Sequence, residues 1–201
     1  MRSLVLALAC LVTSLAVVAA DKLELKSDDH IAIIGNTLAD RMQHSGWFEA
    51  LTYEKFPKHA LVFRNLGYAA DEIVTRPRSE NFGTPTDWLT RAEASVVLAF
   101  FGFNESFKGE AGLPKFRDDL DKFIKDTAKA NYSGKGAPRL VIFSPIAAEK
   151  HRDVNFPDPA PINRQLEPYV KVWRKWRRRT ACNSWICLPR RRRRMRMRRS
   201  R

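Results

Sequence analysis

Four stretches of this chain are predominantly apolar, and each runs into a glycine or a proline. Residues 30–34 read His-Ile-Ala-Ile-Ile before Gly35-Asn36, and residues 61–66 read Leu-Val-Phe-Arg-Asn-Leu before Gly67. Residues 95–101 read Ser-Val-Val-Leu-Ala-Phe-Phe before Gly102, and residues 138–144 read Pro-Arg-Leu-Val-Ile-Phe-Ser before Pro145. Short β-branched and aromatic runs without a polar alternation predict strands covered on both faces, as in a parallel sheet.

The segments between them carry helical spacing instead. Residues 37–55 place Leu38, Met42, Trp47, Phe48 and Leu51 along a helix interrupted at Ser45-Gly46, with Pro57 closing it. Pro85 opens another helix, capped by Thr84 or Thr86, after a stretch (residues 71–83) that predicts a loop and a short helix. Residues 113–130 set Phe116, Leu120, Phe123, Ile124 and Thr127 on one stripe of an amphipathic surface helix. Beyond Ile146 a polar, proline-rich loop reaches Pro161, residues 163–170 begin a further helix, and no later strand is predicted. Strands alternating with helices give an α/β fold, a three-layer sandwich with a central parallel sheet flanked by helices.

Charge changes this picture only at the end of the chain. The net charge of the 201 residues is +14, but fifteen of the 36 Lys and Arg lie in residues 171–201, where there is no acid. The preceding 170 residues carry 21 basic against 22 acidic side chains, a net of −1, so the body has no charge signature of a nucleic-acid binder. Met1-Arg2-Ser3, the apolar residues 4–20 and the small Val18-Ala19-Ala20 before Asp21 predict an export signal cleaved near Asp21. A membrane anchor is the competing reading, and the 17-residue run is short for a spanning helix. Cys10 after Ala9 offers a lipoprotein site, on a short apolar stretch. Cys182 and Cys187 are the only cysteines outside the signal, so the body is expected to rely on its core rather than on disulfides. The organisation expected is a signal (1–20), one domain (21–170) and an arginine-rich tail (171–201).

Chemistry in an open parallel sheet gathers at the carboxyl ends of the strands. The ends here read Gly35-Asn36-Thr37-Leu38, Asn65-Leu66-Gly67 and Gly102-Phe103-Asn104-Glu105. In this order and separation they resemble the first three sequence blocks of the SGNH or GDSL-like hydrolases, over about residues 28–146. The resemblance implies an SGNH hydrolase or flavodoxin-like sandwich and carboxylic-ester hydrolysis through an acyl-enzyme. It also implies an oxyanion hole built from the Gly67 amide and the Asn104 side chain, each such donor being worth about 10²–10³ in rate.

Two departures from that pattern matter. Thr37 stands where the family has a nucleophilic serine, and Asn36 where it has aspartate. Thr37 keeps a hydroxyl, but its β-branch restricts the rotamer, and the alternative role is to cap the following helix. Glu105 replaces an aspartate and is given no catalytic role. The late Asp-x-x-His that would supply the base is absent after Ser144. His151 beside Asp153 comes too early in the chain and reads as a loop residue, His44 four residues after Asp40 reads as a helix-surface pair, and Ser106 and Ser144 read as background. The abrupt change near Lys171, with its Arg, Trp and Cys, predicts a frameshift or mispredicted end that leaves the fold without its last strand and helix. The tail's competing reading is a cation for nucleic acid or an anionic surface.

The functional expectation is therefore an exported ester hydrolase acting on acyl or acetyl esters, with a small molecule or a polysaccharide as substrate and impaired in this chain. The alternative is a non-catalytic module that keeps the pocket for a carbohydrate or another exported partner. No Gly-rich phosphate loop and no metal-ligand spacing is present, so no cofactor or metal is expected.

Overall fold

A computed structural model of the chain describes residues 23–177 and 185–187. The expected export signal and most of the arginine-rich tail lie outside the described residues. The apolar runs form the strands β1 (His30–Gly35), β2 (Val62–Asn65), β3 (Val96–Phe100) and β4 (Arg139–Phe143), and a fifth, β5 (Trp185–Cys187), follows. All pair in parallel in the order β2-β1-β3-β4-β5, with Gly35 opposite Phe100 and Phe100 opposite Phe143.

Pleating sends alternate residues to opposite faces, and each face has its own core. Ala32, Ile34, Val97, Ala99, Leu140 and Ile142 meet α3 (Pro85–Arg91), α4 (Leu113–Lys129) and α5 (Ala160–Arg177). Ile31, Ile33, Val96, Leu98, Phe100 and Val141 meet α1 (Thr37–Met42), with Phe48 of α2 (Trp47–Lys55) and Leu23 and Leu25 packed against them. This is the three-layer sandwich. None of the described helices is long and apolar enough to cross a membrane.

The helix interruption at Ser45-Gly46 falls where Gly46 adopts a left-handed φ of 63° between α1 and α2. Trp47 and Leu51, placed on the apolar stripe by spacing, are 71% and 61% exposed, so α2 covers less of the sheet than its sequence suggests. Thr84, not Thr86, caps α3, in a capping box with Asp87. Residues 71–83 hold no helix.

Hydrogen bonds from the Thr84 backbone and hydroxyl hold the exposed Asp87 carboxyl below its ordinary value of 3.8. A depressed folded value contributes stability above the unfolded pKa and loses it as pH falls through the folded one. Acid sensitivity of unfolding between pH 5 and 3 is expected to be smaller in Asp87→Asn than in the wild type, as urea melts at each pH would show.

The end of the domain differs from expectation. α5 runs through the point where composition changes, and Leu166, Tyr169, Val172 and Trp173 are all buried. The boundary expected after Val170 thus falls inside a helix, because side chains at i, i+3 and i+7 share one face whatever lies opposite them. A strand is also present after α5: the backbone of β5 pairs with the open edge of β4. Two of its three residues, Trp185 and Ile186, are β-formers in an otherwise arginine-rich segment.

Candidate functional site

Beyond β1 the chain turns sharply. Gly35 has a φ of 127°, and a Cβ there would lie 2.1 Å from the Phe100 carbonyl oxygen, so no other residue fits. The next amide, Asn36 N–H, donates to that same carbonyl at 3.0 Å. The Asn36 side chain accepts from Leu38 N–H at 3.2 Å and is the N-cap of α1. The capping role considered for Thr37 therefore belongs to Asn36, whose carboxamide sits one residue earlier, where the cap geometry requires it. Thr37 is the first residue of the helix, exposed.

Thr37 opens on an apolar cavity of about 370 Å³ at the carboxyl edge of β1, β3 and β4, lined by Leu38, Phe100, Phe143, Pro145 and Ile146 among others. Phe100 and Phe143, opposed in register, stack at 4.2 Å with their planes 5° apart. Ser144 lines the same cavity, and its buried hydroxyl has no hydrogen-bond partner. Glu149 is the one ionisable side chain among the described residues lining it.

Gly67 follows β2, and there too packing demands glycine, since a Cβ would come within 2.6 Å of the Ala39 methyl on α1. Its N–H donates to Asn65 Oδ1 at 2.9 Å, while Asn65 Nδ2 donates to the Ala39 carbonyl at 2.7 Å. The amide carried over as an oxyanion donor is thus engaged by its own loop. Asn104 has a buried carboxamide oxygen with no partner. Thr37 lines the first cavity, Gly67 a separate groove of about 340 Å³, and Asn104 neither. All three leave the same edge of the sheet, but no one cavity gathers them.

Sequence reasoning gave Glu105 no role in catalysis, and the structure gives it a large one in architecture. Its buried carboxylate accepts from Gly102 N–H at 2.8 Å and Ile73 N–H at 3.0 Å, tying the loop after β3 to the loop after β2. Burial raises its pKa above the ordinary glutamate value despite these bonds, so its contribution to stability falls as pH rises from about 4.5 through the raised folded value. Glu105→Ala strands two buried donors at about 1–3 kcal/mol each. A loss of about 3 kcal/mol is expected in urea unfolding, and a loss below about 1 kcal/mol would mean that the loops hold without the clamp.

Four histidines are present in the whole chain, and none lines the Thr37 cavity. His30 bonds the Ala92 carbonyl and His59 the Leu25 carbonyl. His151 is exposed, lies against Phe156 with ring centroids 4.2 Å apart and planes tilted by 37°, and accepts from Asp153 N–H. The helix-surface pair considered for Asp40 and His44 is not formed, because Gln43, a residue closer, donates to Asp40 at 2.8 Å instead. Ser106 is fully buried and donates to the Phe103 carbonyl at 2.6 Å, a turn contact. Among the described residues no group of three or more His, Cys, Asp or Glu could hold a metal ion.

Comparison with solved structures places this architecture. The gut microbial diltiazem-metabolizing enzyme BT4096 superposes with a TM-score of 0.52 at 17% identity, over 85% of this chain and 39% of its own. The psychrotrophic esterase EstA from Pseudoalteromonas sp. gives 0.52 at 16% identity, over 80% of this chain and 77% of that one. Est24, a carbohydrate acetylesterase from Sinorhizobium meliloti, gives 0.50 at 10% identity, over 80% and 84%. The fold is that of the SGNH-type esterases. No family model and no curated protein matches the sequence. The chain spans 39% of the length of the first of these SGNH-fold neighbours and about four-fifths of the other two.

Sequence reasoning also passed over Asp71, Arg76 and Arg78, read as a loop. Asp71 is buried and paired with Arg78 through two bonds of 2.8 Å. Nothing in an Arg-Pro-Arg run marks such a pair, since the partner of Arg78 is seven residues upstream in irregular chain.

Proposed function

We propose that this chain is an exported SGNH-type domain for ester hydrolysis in which Thr37 accepts the acyl group. The observation that carries the reading is an exposed threonine at the carboxyl end of β1, lining an apolar cavity of about 370 Å³. An acyl chain laid against Phe100 and Phe143 brings its carbonyl to that hydroxyl. Est24 acts on carbohydrate acetyl esters and EstA is an esterase, which supports an acyl or acetyl ester of a small molecule or a polysaccharide as the substrate class.

The Thr37 oxygen adds to the ester carbonyl, and its proton leaves with the departing alkoxide, relayed by water. A second water then cleaves the threonyl ester and releases the acid. The oxyanion donors carried over are the Asn104 side-chain N–H₂, whose neighbouring carboxamide oxygen is buried without a partner, and the Gly67 amide, which must first be given up by Asn65. With no histidine lining the cavity, turnover is slow.

A second reading, a pocket that binds a carbohydrate or another exported partner without turning it over, is favoured by that same lack of a histidine and by the engaged Gly67 amide. Hydrolysis of p-nitrophenyl acetate and butyrate by the full chain separates them. Turnover that Thr37→Ala removes, and that Asn104→Ala lowers by about 10²–10³, supports the hydrolase. Absence of any turnover above buffer in the wild type supports the binding module.

A further inference from the structure

The groove beside β2 holds an arginine whose guanidinium makes no ion pair among the described residues. It has a volume of about 340 Å³ and is lined by Gly67, Tyr68, Arg76, Arg78, Phe82 and Trp88 among others. Arg78 is satisfied, since it stacks over Tyr68 at 4.4 Å and bonds Asp71 through both terminal nitrogens. Arg76 is not. It makes no hydrogen bond or ion pair among the described residues, and its Nε is buried without a partner. Its guanidinium rests 5.0 Å from the Phe101 ring centroid.

The two nearby carboxylates are committed elsewhere. Both Asp71 oxygens take Arg78, and the two Glu105 oxygens take the Ile73 and Gly102 amides. Burial lowers the Arg76 pKa first of all, partly offset by the field of Asp71. A desolvated guanidinium with unfilled donor positions gains most from a planar oxyanion, which it can hold in a two-pronged bond.

The remaining wall is aromatic and braced. Trp88 Nε1 donates to the Phe82 carbonyl at 2.9 Å, and the Phe82 and Trp88 rings lie 4.9 Å apart. The Arg91 guanidinium lies 4.9 Å from the Trp88 ring centroid and the Arg78 guanidinium 5.8 Å from the Phe82 ring centroid, and the aromatic surface beside them suits the apolar C–H face of a sugar ring.

We infer that this groove is a subsite for a carboxylate-bearing sugar ring, with Arg76 holding the carboxylate and the Phe82–Trp88 wall taking the ring. The inference rests on the ester-hydrolase reading only for its place in the reaction: Gly67 and Ile34 line the groove, next to the β1 end that carries Thr37. The acyl group occupies the Thr37 cavity, and the acidic sugar, as the alcohol half of the ester, lies in the groove.

The test reads binding at the groove itself, because the arginine-rich tail also attracts anions. The full chain is labelled with fluorotryptophan, the Trp88 resonance is assigned with Trp88→Phe, and it is titrated with methyl galacturonoside and with the neutral methyl galactoside. The uronoside is expected to bind about tenfold more tightly, the least that one charge-assisted bond contributes, and Arg76→Gln is expected to remove the difference.

Equal affinity for the two glycosides in the wild type overturns the inference, and this arm depends on no variant. A preference that persists in a folded Arg76→Gln assigns the anion to another cation and overturns it too. Benzoate moving Trp88 where the uronoside does not makes the subsite one for aromatic acids, which also overturns the sugar assignment. Uronoside binding that depends on Arg76, in a chain with no esterase turnover, upholds the subsite while removing the hydrolase reading.

Discussion

Trp173→Ala is expected to cost about 3–5 kcal/mol of unfolding free energy, the usual range for deleting a fully buried large aromatic. Trp173 is 0% exposed although it lies beyond the point where the composition turns basic. Its ring meets Phe116 edge-on at 5.8 Å and lies close over Gly102, where a Cβ would come 3.2 Å from the indole nitrogen. Phe116 in turn packs on Tyr169 at 4.9 Å. Removing the indole opens a cavity under the loop that carries Asn104, so the loss falls on the site as well as on the core. Urea unfolding of the full chain checks it. A change within about 0.5 kcal/mol, as for an exposed position, would mean that the domain does end near Val170 and that α5 packs no further.

Thr37→Ala is expected to take ester turnover to the buffer rate, and Thr37→Ser to raise kcat/KM by up to about tenfold. The first follows from removing the only hydroxyl proposed to take the acyl group. The second follows from the β-branch. A threonine oxygen can point at the cavity only in the rotamer its methyl allows at the start of α1, and an off-rotamer side chain costs about 0.5–1.5 kcal/mol, where 1.36 kcal/mol is tenfold in rate. Serine removes that cost without moving the oxygen. Initial rates on p-nitrophenyl acetate, with circular dichroism to verify folding, decide the matter. Thr37→Ser slower than the wild type would mean that the methyl positions the hydroxyl rather than hindering it, and unchanged turnover in Thr37→Ala would place the nucleophile elsewhere.

The Glu105 clamp ties together two loops at this edge of the sheet. It joins the loop that leads to the Arg76 groove to the loop that follows β3, so its loss is expected to disturb both grooves before it unfolds the chain. Trp173 and Glu105 thus support the loop of Asn104 from two sides, one by apolar contact and one by backbone hydrogen bonds.

Which features were readable in the sequence follows from the range of the forces involved. The four apolar strands, the break at Gly46 and the amphipathic α4 depend on neighbours within a few positions, and their bounds lie within one or two residues of those expected. The glycines at 35, 67 and 102 marked the strand ends, and the order of blocks pointed to the SGNH fold. The Asn36 cap was misplaced by one residue, because Thr37 and Asn36 are both good caps and only the helix start decides between them. Glu105, Asp71 and Arg78 were not legible as partners at all, since each meets its neighbours across loops separated by sheet strands or by irregular chain.

By itself, then, the sequence determined the alternation of strand and helix, the parallel α/β class and the position of the Thr37 hydroxyl at a strand end, because periodicity and turn chemistry are local. Tertiary structure alone decided that the core extends to Trp173, that β4 gains a partner strand, that the Gly67 amide is taken by Asn65, and that Arg76 is left without one. Those outcomes depend on which groups meet when the sheet closes over its helices, and buried donors and acceptors are shared out only then.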